Sequence, residues 1–245
     1  MDILIGYSLV LKKINMKIAL CLSGQARFLE ACYYESMKPN IIDDLNPDVF
    51  IHTWDTSIMV DQHFINGTEG VMGDKIPHDL METMISLYKP KKYIIEPQKY
   101  FEQNKWSNRL MPGIKSDYMC SMFYSINESN KLKKQYEHEN NFIYDWVIRI
   151  RFDMAIPSGP LNLNNLTNDH LWVATGCFNN RDGYLDSLGY SNSQIMDIYS
   201  DTFNHIDDIA NDNPNMRICG EYILRKHIDK NNIPVMENGT HKLYR

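Results

Sequence analysis

The stretch Lys17-Ile-Ala-Leu-Cys-Leu-Ser-Gly-Gln-Ala-Arg27 decides the fold class. An unbroken apolar run of strand length offers no polar face to water, so it belongs in a sheet covered on both sides. Ser23-Gly24-Gln25 ends the run as a turn, and Phe28, Leu29, Cys32, Tyr33 and Met37 follow at helical spacing across residues 26–38. A second apolar run, Pro47 to Trp54, completes a strand, helix, strand unit. Such a unit brings its strands side by side in parallel. The chain is therefore α/β, with a mostly parallel central sheet flanked by helices.

Beyond this unit, residues 55–75 are polar and read as a loop, Pro77 to Tyr88 as a helix and Lys91 to Glu96 as a third strand. Met119, Met122, Phe123, Ile126 and Leu132 mark a long helix from Ser116 to Glu139. It leads into a charged strand at residues 144–153. Leu171 to Thr175 is a further strand, followed by an irregular segment up to Gly189. Ser193 to Phe203 and Gly220 to Lys230 are the last helices, and the tail from Ile233 to Arg245 adds an edge strand. Residues 16–245 make one domain. Residues 1–15 are an appendage, whose apolar stretch Ile3 to Leu11 precedes Lys12 and Lys13 instead of following them. That order is the reverse of a secretory signal, the stretch is too short to span a bilayer, and Met16 reads as a start.

With 245 residues and 43% hydrophobic content, the chain can bury a full core. A net charge of −6 argues against a general nucleic-acid binder, without excluding a local basic groove. Lys91, Lys92, Lys131, Lys133 and Lys134 are the candidates for such a groove, and solvated element ends are the plainer reading. Five cysteines without metal-ligand spacing read as reduced, mostly buried thiols in a cytoplasmic protein. The sequons at Asn66, Asn127, Asn165 and Asn238 are then chance matches.

The charged strand, Tyr144-Asp-Trp-Val-Ile-Arg-Ile-Arg-Phe-Asp153, alternates strictly. Val147, Arg149, Arg151 and Asp153 share one face, and Ile148, Ile150 and Phe152 the other. Two guanidiniums about 7 Å apart on a buried strand repel each other and lose hydration unless an anion or counter-charge accompanies them. A bound phosphate would serve, as would a structural ion pair between Asp153 and one arginine. Asp153 at a strand end also suits a hard divalent cation. Ser23, Gly24, Gln25 and Arg27 stand where open α/β sheets bind ligands, outside the carboxyl end of a strand. This is neither a Walker loop nor a dinucleotide fingerprint. A polar group between Asn179 and Asp197 holds Arg181, Asp182, Asp186, Tyr190, Asn192 and Gln194. Glu221 opens an apolar helix, where it complements the dipole or, facing a cleft, acts as a base. His52 and Trp54 end the second strand.

The Ser-Gly-Gln-x-Arg turn at 23–27, the run Asp48-Val-Phe-Ile-His-Thr-Trp54 and the Arg-x-Arg-x-Asp strand at 149–153 together resemble glycosyltransferases of bacterial surface-polysaccharide clusters and of large viruses and phages. The resemblance extends from Met16 to the C-terminus, through the looser segments Ser191 to Tyr199 and Glu221 to His227. It implies a GT-A-like three-layer sandwich and a nucleotide-sugar donor. The sugar would pass to a hydroxyl of a glycan or, for a viral protein, of a modified nucleobase. Ser23, Gly24, Gln25 and Arg27, with Arg149 and Arg151, would then hold the nucleotide and its diphosphate. Asp153 would hold Mn²⁺ or Mg²⁺. The usual acidic motif has two aspartates around one residue, whereas Arg occupies position 151, which leaves the metal open. Asp182 and Glu221 are the candidate acceptor bases.

A non-catalytic nucleotide-sugar or glycan-binding protein on the same fold is the alternative, kept by the missing second acidic ligand. A nucleotidyltransferase ranks below both, because the first turn has only one glycine and one arginine.

Overall fold

The computed structural model describes residues 16–55, 79–102, 105–156, 159–174, 183–238 and 242–243. The appendage at 1–15, the loop after residue 55 and Asp182 lie outside the described residues. The strands are β1 (Ile18–Ser23), β2 (Asp48–Asp55), β3 (Lys92–Pro97), β4 (Trp146–Arg151), β5 (Met154–Ala155), β6 (Leu171–Val173), β7 (Leu188–Ser191), β8 (Val235–Glu237) and β9 (Lys242–Leu243). Seven of them form one sheet in the order β3-β2-β1-β4-β7-β6-β8, and β5 pairs with β9 separately. β1, β2, β3 and β4 run parallel, whereas β7 is antiparallel to both of its neighbours, β4 and β6. β8 lies at the edge, beside β6, as the tail predicts.

The alternation in the charged strand holds. Ile148, Ile150 and Phe152 join Leu20, Leu22 and Ile51 on one face of the sheet. Val147 joins Ala19, Cys21 and Phe50 on the other. The first face is covered by a helical run from Leu29 to Leu45, made of α1 (Leu29–Cys32), Tyr33–Ile42 and α2 (Asp43–Leu45), and by α3 (Leu80–Tyr88). The second is covered by α4 (Ser116–Asn140), α5 (Ser193–Ser200), α6 (Thr202–Asp212) and α7 (Gly220–Lys230). The result is three layers, helices over sheet over helices.

Two departures from the periodicity have physical causes. The first helix runs past Met37 to Leu45, and the α-helical spacing read across residues 26–38 gives way to the wider π-helical turn over Tyr33–Ile42, which carries Pro39. Lys133 is not a solvated helix end. Its side chain is fully buried, with Nζ 2.8 Å from Asp197, 3.0 Å from Glu137 and 2.5 Å from the Ser193 hydroxyl. Glu137 also accepts from the Tyr144 N–H at 2.9 Å and from Ser193 at 2.7 Å, so this ion cluster ties α4 to α5 and to the approach of β4. Lys91, Lys92 and Lys131 pair with Asp48, Glu139 and Glu128, and Lys134 lies 3.4 Å from Asp197. The five lysines thus form no basic groove.

Cys21, Cys32, Cys120 and Cys219 are buried free thiols, while Cys177 lies outside the described residues. Burial pushes the Cys21 thiol up to about 12, which keeps it protonated and unreactive. The Asn127 side chain is buried and donates to the Ser200 carbonyl at 3.0 Å, which closes that sequon to glycosylation. Among the described residues, no helix is long and apolar enough to cross a membrane.

Candidate functional site

The chain leaves β1 toward β2 on one side and returns through α4 to β4 on the other, so the sheet's topological switch point lies between β1 and β4. In open α/β sheets, ligands bind beyond the strand ends at such a point. The Ser23 turn and the Arg151–Asp153 turn meet at this place, since Ser23 is the register partner of Arg151. Because β7 runs backwards, its beginning reaches the same rim. Leu188 pairs with Ile150, and the Arg151 N–H donates to the Ser187 carbonyl at 3.3 Å.

Gly24 has φ +98°, a conformation that costs a glycine little and other residues much. Its N–H donates to the Ser125 hydroxyl of α4 at 2.7 Å, and its carbonyl accepts from Thr53 of β2 at 2.8 Å. Gly24 therefore gives the turn its shape while its own backbone groups are committed to the scaffold. Behind it, Ser125 Oγ lies 2.8 Å from His52 Nδ1, and His52 Nε2 lies 3.1 Å from Glu96. A neutral His52 satisfies every group: Nε2–H donates to Glu96, Ser125 donates to Nδ1, and Ser125 receives the Gly24 N–H. This tautomer is assigned from the network. Burial holds His52 below the usual imidazole range, against the pull of Glu96. Burial alone would raise Glu96, but His52, Tyr124 and Lys99 donate to it and bring it below the usual carboxylate range.

The pH dependence follows. A histidine held neutral in the folded state contributes stability that is complete above its unfolded value of about 6.5 and is lost as the pH falls from there toward the depressed folded value. His227 is also lowered by burial, so His52 carries only part of the loss. Urea midpoints are expected to fall between pH 7.5 and 5, and to fall less in His52→Gln. Ser125→Ala, which orphans the buried Gly24 N–H, is expected to destabilise at pH 7.5 by about 1–3 kcal/mol. A midpoint unmoved by Ser125→Ala would remove the network from the account.

Arg149 is buried, and the register explains how a strand accommodates it. Its partners across β1 and β7 are Cys21 and Gly189, one small and one without a side chain. The ring of Tyr199 fills the space over Gly189, where a Cβ would stand 3.0 Å from it. Arg149 Nε donates to Ser23 Oγ at 3.1 Å, while Nη1 is buried with no hydrogen-bond partner. Arg151 instead grips Asp153 with two parallel bonds, Nε to Oδ1 at 2.9 Å and Nη2 to Oδ2 at 2.8 Å. Arg27 Nη2 donates to Gln25 Oε1, and its guanidinium lies within electrostatic range of Asp153 and Arg151.

The structure thus brings Ser23, Gly24, Gln25, Arg27, Arg149, Arg151 and Asp153 to one rim. It also adds Asp186, which the sequence offers only as one polar residue among many. Its carboxylate packs against Gly220, where a Cβ would stand 2.5 Å from Oδ2. Burial and the neighbouring Glu221 push it up to about 6, against the pull of Arg149 and Arg151. Glu221 opens α7 as the sequence predicts. A Cβ on Gly183 would stand 2.6 Å from Glu221 Cβ, so the 183–187 loop lies over it. His52 and Trp54 sit behind the turn as scaffold, with Trp54 buried under the ring of Tyr124.

A divalent cation fits these residues poorly. Asp153 already spends both oxygens on Arg151, and among the described residues no three His, Cys, Asp or Glu side chains cluster as metal ligands. No family model matches the chain, and no curated protein matches it in sequence.

Proposed function

We propose that this protein is a nucleotide-sugar-dependent glycosyltransferase of GT-A type, which seats the donor diphosphate on Arg27, Arg149 and Arg151. The observation that carries this reading is the buried Arg149, whose Nη1 has no partner at the switch point of the sheet. An orphaned buried guanidinium N–H costs free energy, and a phosphate oxygen satisfies it with a charge-assisted bond. The resemblance of the Ser-Gly-Gln-x-Arg and Arg-x-Arg-x-Asp segments supplies the reaction class, and a three-layer fold with a largely parallel sheet is of the kind it implies.

In this mechanism, the bond between the anomeric carbon and the diphosphate breaks, and its electron pair leaves with the diphosphate. The guanidiniums neutralise that charge as it develops, and the burial of Arg149 and Asp153 away from water strengthens the attraction. A hydroxyl of a glycan or another acceptor supplies the new bond to carbon. Asp153 holds Arg151 in the bidentate geometry that aims it.

Thermal unfolding in the presence of UDP, GDP and dTDP and their common sugar conjugates, with a chelator present, tests this reading. One ligand at a hundred times its dissociation constant is expected to stabilise the wild type by about 2.7 kcal/mol. Arg27→Ala is expected to weaken that ligand by roughly ten- to a hundredfold, the loss of one charge-assisted bond. A wild type indifferent to every nucleotide would sink the reading.

A further inference from the structure

The geometry points to Asp186 as the general base that takes the proton from the acceptor hydroxyl. This inference rests on the transferase reading above. The residue before Ser187, whose carbonyl accepts from the Arg151 N–H at 3.3 Å, is Asp186, so its carboxylate stands beside the arginines within electrostatic range of Arg149 and Arg151. A base must stand close enough to the anion clamp to meet the anomeric carbon, yet it must not be consumed by the clamp. Arg151 is already paired with Asp153, and Arg149 Nε is spent on Ser23, so neither is locked to Asp186. Among the described residues the Asp186 carboxylate is hydrogen-bonded by its own backbone and by no side chain; the Tyr199 hydroxyl donates to its backbone carbonyl at 3.3 Å.

Glu221 is less suited to the part. It sits in the first turn of α7 with the 183–187 loop over it, where the Tyr184 N–H donates to its carbonyl at 3.2 Å, and its carboxylate interacts with the buried Cys219 thiol. Its charge instead raises the proton affinity of Asp186. Among the described residues, the titratable groups around Asp186 are Arg149 and Arg151 from β4, Tyr199 from α5, and Glu221 with Cys219 at the start of α7. Burial and the Glu221 carboxylate push its affinity up and the two guanidiniums pull it down, which leaves it at about 6, where it is largely ionised at neutral pH.

The step balances. The acceptor O–H gives its proton to an Asp186 oxygen, the acceptor oxygen bonds to the anomeric carbon, and the diphosphate departs with the electron pair of the broken bond.

The test measures binding and turnover separately, with UDP-glucose, UDP-N-acetylglucosamine, GDP-mannose and dTDP-glucose as donors and water as the acceptor common to all. Binding is read by thermal shift, and turnover by release of the nucleoside diphosphate. Asp186→Asn is expected to keep the donor's thermal shift and to lose release by a hundredfold or more. The wild-type rate should fall as the pH drops through about 6, a limb that Asp186→Asn lacks. Glu221→Gln, which removes the charge that raises Asp186, should move that limb to lower pH. Full release by Asp186→Asn with binding intact would overturn the assignment, as would loss of release in Glu221→Gln alone. Binding with no release even in the wild type would leave Asp186 a counter-ion of Arg149 and overturn it too. No binding of any donor by the wild type is the different failure, that of the transferase reading itself.

Discussion

Replacing Arg149 by methionine is expected to raise the unfolding free energy by about 1–2 kcal/mol while removing stabilisation by nucleoside diphosphates. The two effects have opposite signs for one reason. Without ligand, the buried guanidinium has lost its water, and one of its nitrogens recovers no bond. A methionine of similar length fills the space beside Gly189 and Tyr199 without that penalty. With ligand, truncating a desolvated charge that meets a phosphate costs about 2–5 kcal/mol of affinity, roughly thirtyfold or more. Chemical unfolding of the two proteins, with and without the best nucleotide of the panel, measures both terms. A strongly destabilised Arg149→Met that still binds nucleotide would make the guanidinium a structural group and move the diphosphate elsewhere.

Lys133→Ala is expected to cost about 3–5 kcal/mol, a large part of the roughly 5–15 kcal/mol that holds a domain together. The ammonium is enclosed by Glu137, Asp197 and Ser193, and removing it leaves the nearly buried Glu137 without its cation, beside an Asp197 that keeps only the exposed Lys134. Lys134→Ala serves as the control. Its ammonium lies 3.4 Å from the same Asp197 but is exposed, and the expected change is under about 1 kcal/mol. Similar urea midpoints for the two variants would show that the cluster is not a keystone of the helical layer.

What the sequence reveals and what it hides follow from the range of the interactions. Strands buried on both faces appear as apolar runs, so β1, β2 and β4 are legible, and the helix Gly220–Lys230 is delimited to the residue. β7 is not legible, because Leu-Gly-Tyr-Ser is short and carries neither an apolar run nor a clean alternation. With β7 unseen, the pairing of Arg149 with Gly189 is invisible, and with it the reason a guanidinium fits inside the sheet. The same gap hides Asp186, whose place at the rim depends on the reversal of that strand. Ser125 and Lys133 are polar residues in a helix, and nothing local distinguishes them from solvated positions. Their partners lie 101 residues away for Gly24–Ser125 and 64 for Lys133–Asp197. The turn residues Ser23, Gly24, Gln25 and Arg27 and the triplet Arg149, Arg151 and Asp153 are legible because strand ends and strand alternation are local.

The backward run of β7 lets two separately editable parts share one opening. The cationic clamp is built into β1 and β4, at the centre of the sheet, where few substitutions can be absorbed. The carboxylate of Asp186 arrives on a short half-buried segment, Gly183 to Ser187, tethered through backbone bonds to Arg151 and Glu221. A lineage, or an engineer, can lengthen, shorten or recharge that segment and so exchange one receiving molecule for another while leaving the handling of the leaving group alone.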